Sequence, residues 1–181
     1  MNIIHKTAII YDNVELGDGN TIGAYCVIGS PAQVRGNKVK GKVIIGNNNL
    51  ITNHVTIDAS KRFNATVIGN NIMIMSHVHI GGDCRISDNC NISSSVTMGG
   101  GCIVKNNTFL GMGSILHQRS YVGSYVMVGA GCFVKGIIQD YLKICGVPYR
   151  IIGINTLGLK RAGFTEKEIN EIRLSHKNST T

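Results

Sequence analysis

From Ile68 onward an aliphatic side chain returns at every sixth position: Ile74, Ile80, Ile86, Ile92, Met98, Val104, Leu110, Leu116, Val122, Val128 and Val134. Neither the roughly 3.6-residue period of an α-helix nor the two-residue alternation of a half-buried strand yields a strict six. Short β-segments joined by tight turns do. Three hexads close one triangular coil of 18 residues, and successive coils stack at about the 4.8 Å spacing of hydrogen-bonded strands. The same period holds earlier in other phases, through Ile4, Ile10, Leu16, Ile22 and Ile28 and then Ile45, Ile51 and Ile57. The phase breaks fall at "SPAQVRGNKVKGKV" and "DASKRFNATV", which read as loops inserted near residues 30–43 and 58–66. The pattern predicts an all-β chain, a single-stranded parallel β-helix over residues 1–140, followed by an exit segment and a short helical tail over 141–181.

The register assigns the cysteines. Cys26, Cys84, Cys90, Cys102 and Cys132 each stand four residues after an inward aliphatic, where other hexads carry Thr, Ser or Val. They are expected to be small buried residues of the prism and not metal ligands. In the tail, "FTEKEINEIRLSHKN" predicts a helix. Thr165 and Glu168 would form a capping box, with Phe164 and Ile169 as a hydrophobic staple. Hydrophobic residues at 43% and charged residues at 15% exclude a disordered chain. The N-terminal stretch lacks a secretion-signal pattern and no apolar run reaches membrane-spanning length, so the expectation is a cytoplasmic protein without a membrane span.

A net charge of +8 suits an acidic partner such as an acyl carrier protein or a phosphorylated small molecule. Arg35, Lys38, Lys40 and Lys42, with Lys61 and Arg62, form the one basic cluster. Basic residues are otherwise dispersed and not interleaved with aromatics, so no nucleic-acid partner is expected. Eighteen-residue arithmetic finds no second histidine one or two coils from His77, His79 or His117, so no metal site is expected within the chain. The same arithmetic puts Gly81, Gly99 and His117 in one row and Gly82, Gly100 and Gln118 in the next. Two rows rich in glycine would leave a groove floored by backbone and capped by His117 and Gln118, suited to an acyl chain or a sugar.

The stretches "MIMSHVHIGGDC" (73–84), "GMGSILHQ" (111–118) and "GINTLGLKRAGF" (153–164) carry a resemblance. Together they make the chain similar to the acyl-carrier-protein-dependent UDP-N-acetylglucosamine O-acyltransferases that begin lipid A synthesis. The resemblance implies a left-handed β-helix and a homotrimer with a cleft between neighbouring prisms. It also implies an acyl-ACP or acyl-CoA donor and no permanently bound cofactor. In the family a His-x-x-His-Asp-Cys run supplies the general base from its second histidine; the matching residues are His79, Ile80, Gly81, Gly82, Asp83 and Cys84. The base position therefore holds Gly82, an Asp after a Gln is matched by Val34 after Gln33, and a further histidine by Gly101. His79, Asp83, Gly100, His117 and Gln118 are retained.

These matches set the expected site. His79 and then His117 are candidates to take the acceptor's proton, with Asp83 orienting a partner. Gly82, Gly100, Gln118, Gln33, His77 and Arg119 are candidates for substrate binding. The expected function is transfer of an acyl group from a thioester carrier to a hydroxyl or amine of a nucleotide-linked sugar. The alternative is a catalytically inactive homologue acting as a binding or assembly protein.

Overall fold

The computed structural model describes residues 1–36 and 41–178, so Lys38 and Lys40 of the basic cluster lie outside the described residues. Each hexad forms a strand, mostly of two residues, and the strands stack into three parallel sheets that make the faces of a prism. The first sheet runs from Ile3–Ile4 through Met73–Ile74 to Leu142–Cys145, with Arg150–Ile154 added antiparallel at its end. The second contains Thr56–Asp58, His79–Ile80, Thr97–Met98 and Ile115–Leu116. The third contains Ala65–Ile68, Arg85–Ile86 and Ile103–Val104. The coil is a left-handed parallel β-helix with a short helical tail.

The inward aliphatic at the end of each strand fills the prism. Ile57, Ile74, Ile80, Ile92, Met98, Val104 and Leu110 have no exposed surface. Each such side chain stabilises the fold by about 1.5–3 kcal/mol relative to solvent. The first coil differs: Ile4 is exposed and Ile10 and Leu16 only half-buried, because a coil packs on them from one side alone.

Corners are tight because, from Ile68 to Val128, the third residue after each inward aliphatic turns into the left-handed region. His77, Asp83, Asn89, Ser95 and Arg119 have φ between 60 and 69°. The fourth residue is buried and closes the corner. Where it is Cys or Thr it can donate to a carbonyl on the next coil, as Cys102 Sγ does to His117 O at 3.1 Å and Thr108 Oγ1 to Gly123 O at 2.6 Å. Cys, Thr, Ser and Val are interchangeable there because each is small enough to be buried in the corner. Burial pushes the Cys90 thiol up to about 11.

Loops break the 18-residue register where the phase breaks lie. Met73 pairs with Asn91 at 18 residues, but Leu50 pairs with Met73 at 23 and Thr21 with Leu50 at 29. Between the third and first sheets, a ladder of amides ties these unequal coils together. Asn49 Nδ2 donates to Asn20 Oδ1 at 3.0 Å and to Gly69 O at 2.9 Å, and Asn49 Oδ1 accepts Ile72 N–H at 2.8 Å.

The exit contains a helix that the sequence pattern did not reveal, α1 (Thr156–Arg161), before the expected one, α2 (Glu166–Asn178). Asn155 caps α1 by accepting Gly158 N–H at 3.1 Å. The capping box forms: Thr165 N–H donates to Glu168 Oε2 at 2.7 Å, and Glu168 N–H to Thr165 Oγ1 at 3.3 Å. Phe164 lies edge-on to Tyr125 and Tyr141, with centroids 5.1 and 6.2 Å away, and so fixes α2 to the prism.

Two outcomes follow. Asn49→Ala leaves the buried Ile72 N–H and Gly69 carbonyl without partners and lowers the unfolding free energy by about 1–3 kcal/mol in urea titration. Of the six cysteines, five are buried and Cys145 is half-buried. A thiol reagent at pH 8 therefore labels one site per chain in the native state and all six after denaturation.

Candidate functional site: a glycine-floored groove

A groove of about 700 Å³ lies along the edge between the second and third sheets. Its floor is Gly81, Gly82, Gly99, Gly100 and Gly101, closed at one end by Gln118 and Arg119. Ala32, Gln33 and Val34 from one inserted loop and Lys61, Arg62 and Phe63 from the other form the walls, with Arg85 and Ile103 from the third sheet. The Arg85 guanidinium sits 5.8 Å above the Phe63 ring.

Coil stacking explains part of the floor. A Cβ on Gly81 would lie 2.9 Å from Gly100 N, and one on Gly99 2.7 Å from Gln118 N. The second row is different. At the edge between the third and first sheets, the corresponding N–H groups bond to a side chain of the next coil. Asn47 N–H donates to Asn70 Oδ1, and Asn70 N–H to Asp88 Oδ1, both at 2.8 Å. At the groove edge glycine supplies no such acceptor. Among the described residues the N–H groups of Gly82, Gly100 and Gln118 make no hydrogen bond. Those of Gly100 and Gln118, both exposed, are donors available to a ligand, whereas Gly82 is buried beneath the inserted loop.

One imidazole enters this groove. His79 points outward from its strand and its side chain is 30% exposed. Its Nδ1 is 2.8 Å from Thr56 Oγ1 on the preceding coil, and its Nε2 is 4.0 Å from Asp58 Oδ2. Asp58 lines the groove with a side chain only 2% exposed, and its Oδ1 accepts the Ser30 hydroxyl at 2.9 Å.

The other candidates divide. Gly82, Gly100, Gln118, Gln33 and Arg119 all line the groove. Asp83 lines it too but orients no histidine: its Oδ1 accepts three backbone N–H groups, from Lys61 and Arg62 at 2.9 Å and Phe63 at 3.1 Å. Its charge anchors the loop that walls the groove. His117 does not cap the groove. Its ring turns edge-on to Phe133, centroids 6.2 Å apart, and its Nδ1 is 3.2 Å from Gln118 O. His77 lies at the corner between the first and second sheets, one edge away from the groove. There its ring stacks at 4.9 Å on His54, which stacks at 5.1 Å on Tyr25.

His54 corrects the histidine arithmetic. A second histidine does lie one coil from His77, displaced from the expected position by the inserted loop. The same displacement concealed Thr56 and Asp58, which stand 23 and 21 residues before His79. Among the described residues no three His, Cys, Asp or Glu side chains gather into a set that could hold a metal ion.

Comparison with known proteins gives this groove a context. Residues 65–100 match the bacterial transferase hexapeptide (six repeats) model, and residues 138–178 match that of UDP N-acetylglucosamine O-acyltransferase, domain 2. An acyl-[acyl-carrier-protein]–UDP-N-acetylglucosamine O-acyltransferase from Gloeothece citriformis is 32% identical over 167 residues, covering 91% of this chain and 60% of that protein. Its counterpart from Burkholderia orbicola is 30% identical over 165 residues, covering 90% of this chain and 63% of that one. The crystal structure of LpxA, a UDP-N-acetylglucosamine acyltransferase from Bacteroides fragilis, superposes with a TM-score of 0.95 at 34% identity, over 97% of this chain and 70% of its own. The chain belongs to the UDP-N-acetylglucosamine O-acyltransferase family.

The chain spans 60% and 63% of the lengths of these two curated relatives. Its own loop fills the space above Gly82, where the resemblance puts the family's base. A Cβ there would lie 2.4 Å from the Ala59 carbonyl oxygen and 3.0 Å from the Ala32 methyl. Gly82→His therefore does not restore a base. It displaces the 58–63 loop and lowers stability by about 1–3 kcal/mol, measurable as a reduced urea midpoint.

Proposed function

We propose that this chain is an acyltransferase that moves an acyl group from a thioester carrier, acyl carrier protein or coenzyme A, to a nucleotide-linked sugar. The observation that carries the proposal is His79, a single oriented imidazole over a floor of unbonded backbone donors. Family membership supports the reaction class.

The chemistry divides among named groups. In the tautomer that carries its proton on Nδ1, His79 donates to Thr56 Oγ1, 2.8 Å away, and holds its lone pair on Nε2. Nε2 takes the acceptor's proton as the acceptor attacks the thioester carbonyl carbon. Asp58, 4.0 Å away, stabilises the imidazolium that results. The Gly100 N–H, with the Gln118 side chain beside it, meets the developing oxyanion. The protonated imidazole then returns its proton to the departing thiolate. Arg85, Arg119, Lys61 and Arg62 give the groove the positive charge that a nucleotide diphosphate requires. The working form is a homotrimer whose neighbouring prism covers the open side of the groove.

The Ala59 carbonyl above Gly82 favours one rival, a homologue that binds nucleotide sugars without transferring an acyl group. Mass spectrometry of acyl transfer from carrier-protein and coenzyme A donors to a panel of nucleotide sugars separates the two. Acyl transfer requires turnover that falls by about 10²–10⁴ in His79→Ala, with binding of the sugar changed only a few-fold. Tight binding without any acylated product establishes the rival.

A further inference from the structure

Asp58 poses a problem of hydrogen-bond supply at the acceptor position. Of the two carboxylates lining the groove, Asp83 holds the 61–63 loop through three backbone N–H groups on its Oδ1, and it is Asp58 that stands within 4.0 Å of a His79 ring nitrogen. Asp58 has given only Oδ1 to the scaffold, through Ser30. Its Oδ2 and the Nε2 of His79 are 4.0 Å apart, too far to bond to each other directly and close enough for one group between them to reach both. A carboxylate this buried costs stability unless its second oxygen gains a donor when a substrate excludes water. His79 needs the same spot for the proton it removes.

From this geometry we infer that the acceptor nucleophile is an amine and not a hydroxyl, so that the groove makes an amide. The inference rests on the acyl-transfer function proposed above. A neutral amine carries two N–H bonds and one lone pair. Placed about 2.9 Å from each acceptor, it donates one hydrogen to Asp58 Oδ2 and one to His79 Nε2. The lone pair remains to attack. A hydroxyl has one hydrogen, and whichever acceptor receives it, the other is left unpaired in a closed site. The position of Gly82 fits the same requirement. An amine is the stronger nucleophile and reacts with a thioester with only modest base assistance.

The step balances without an added reagent. The amine nitrogen forms a bond to the thioester carbonyl carbon, and Nε2 of His79 accepts the N–H proton. The tetrahedral intermediate expels the carrier sulfur as the C–S bond breaks. The imidazolium protonates that sulfur, which leaves an amide and a free thiol. Asp58 touches the amine and so selects the acceptor; Ser30 acts through Asp58 as a positioning residue.

Matched acceptor pairs test the inference. UDP-N-acetylglucosamine and its 3-amino-3-deoxy analogue, and equivalent pairs with the amine or hydroxyl at C4, are incubated with the intact protein and acyl carrier protein or coenzyme A thioesters. The expected result is a kcat/KM at least about 100-fold higher for the amine of one pair. Asp58→Asn, which replaces Oδ2 by a donor or leaves a neutral oxygen, and Ser30→Ala should both shrink that ratio towards one. The wild-type comparison stands whatever the variants' stability, which circular dichroism records. Equal or faster acylation of the hydroxyl members overturns the amine assignment and leaves acyl transfer intact. An amine preference unchanged in a folded Asp58→Asn overturns the role of Asp58. No acylation of either member of any pair overturns both the amine assignment and the proposed function.

Discussion

Everything in this molecule depends on one repeated contact, the stacking of each coil's backbone on the next through parallel hydrogen bonds, with an inward aliphatic beneath. That contact requires three sharp corners per coil, and from Asn71 to Gly131 a left-handed backbone residue supplies each one. The pattern constrains what any surface residue can be. A side chain three places after an inward aliphatic is a corner residue, and one five places after it stands out from a face. His79 and Asp83 are four residues apart in the chain. One is a wall group and the other a loop anchor because they occupy different places in this cycle.

The two inserted loops turn a regular scaffold into a site. They rise beside the groove, hold its walls, and bring Asp58 and Ser30 against the face that carries His79. Asp83 ties the second loop down with three hydrogen bonds to its Oδ1. The groove's chemistry then comes from its edge. Where the amide ladder closes one edge of the prism, glycine leaves the other with unbonded backbone donors.

How much of this could be read from the residues alone follows from the same rule. Ile80 and Cys84 were legible as buried positions because a six-residue period admits no other placement. The groove over Gly82, Gly100 and Gln118 was legible because all three lie beyond the last insertion, where coils contain 18 residues. Thr56, Asp58 and His54 were not, because residue counting cannot say how many residues a loop absorbs before its strand resumes register. His117 shared a row with Gly99, but its rotamer, set by Phe133, is not encoded in row membership. The helix α1 went unseen because it is short and has Gly158 at its centre; its cap Asn155 was the available signal.

The groove's glycine floor and its Gln118 end occupy three successive coils, those of Gly82, Gly100 and Gln118, and in a stack of this kind each coil touches only its immediate neighbours. The prism is thus a series of cassettes, and its overall length is a free parameter for chemistry. Whole coils inserted or removed beyond the Leu116 strand would carry the tail nearer or farther and leave the groove's own geometry untouched. A single residue gained or lost between Gly82 and Gln118 would rotate a face into a corner and dismantle it.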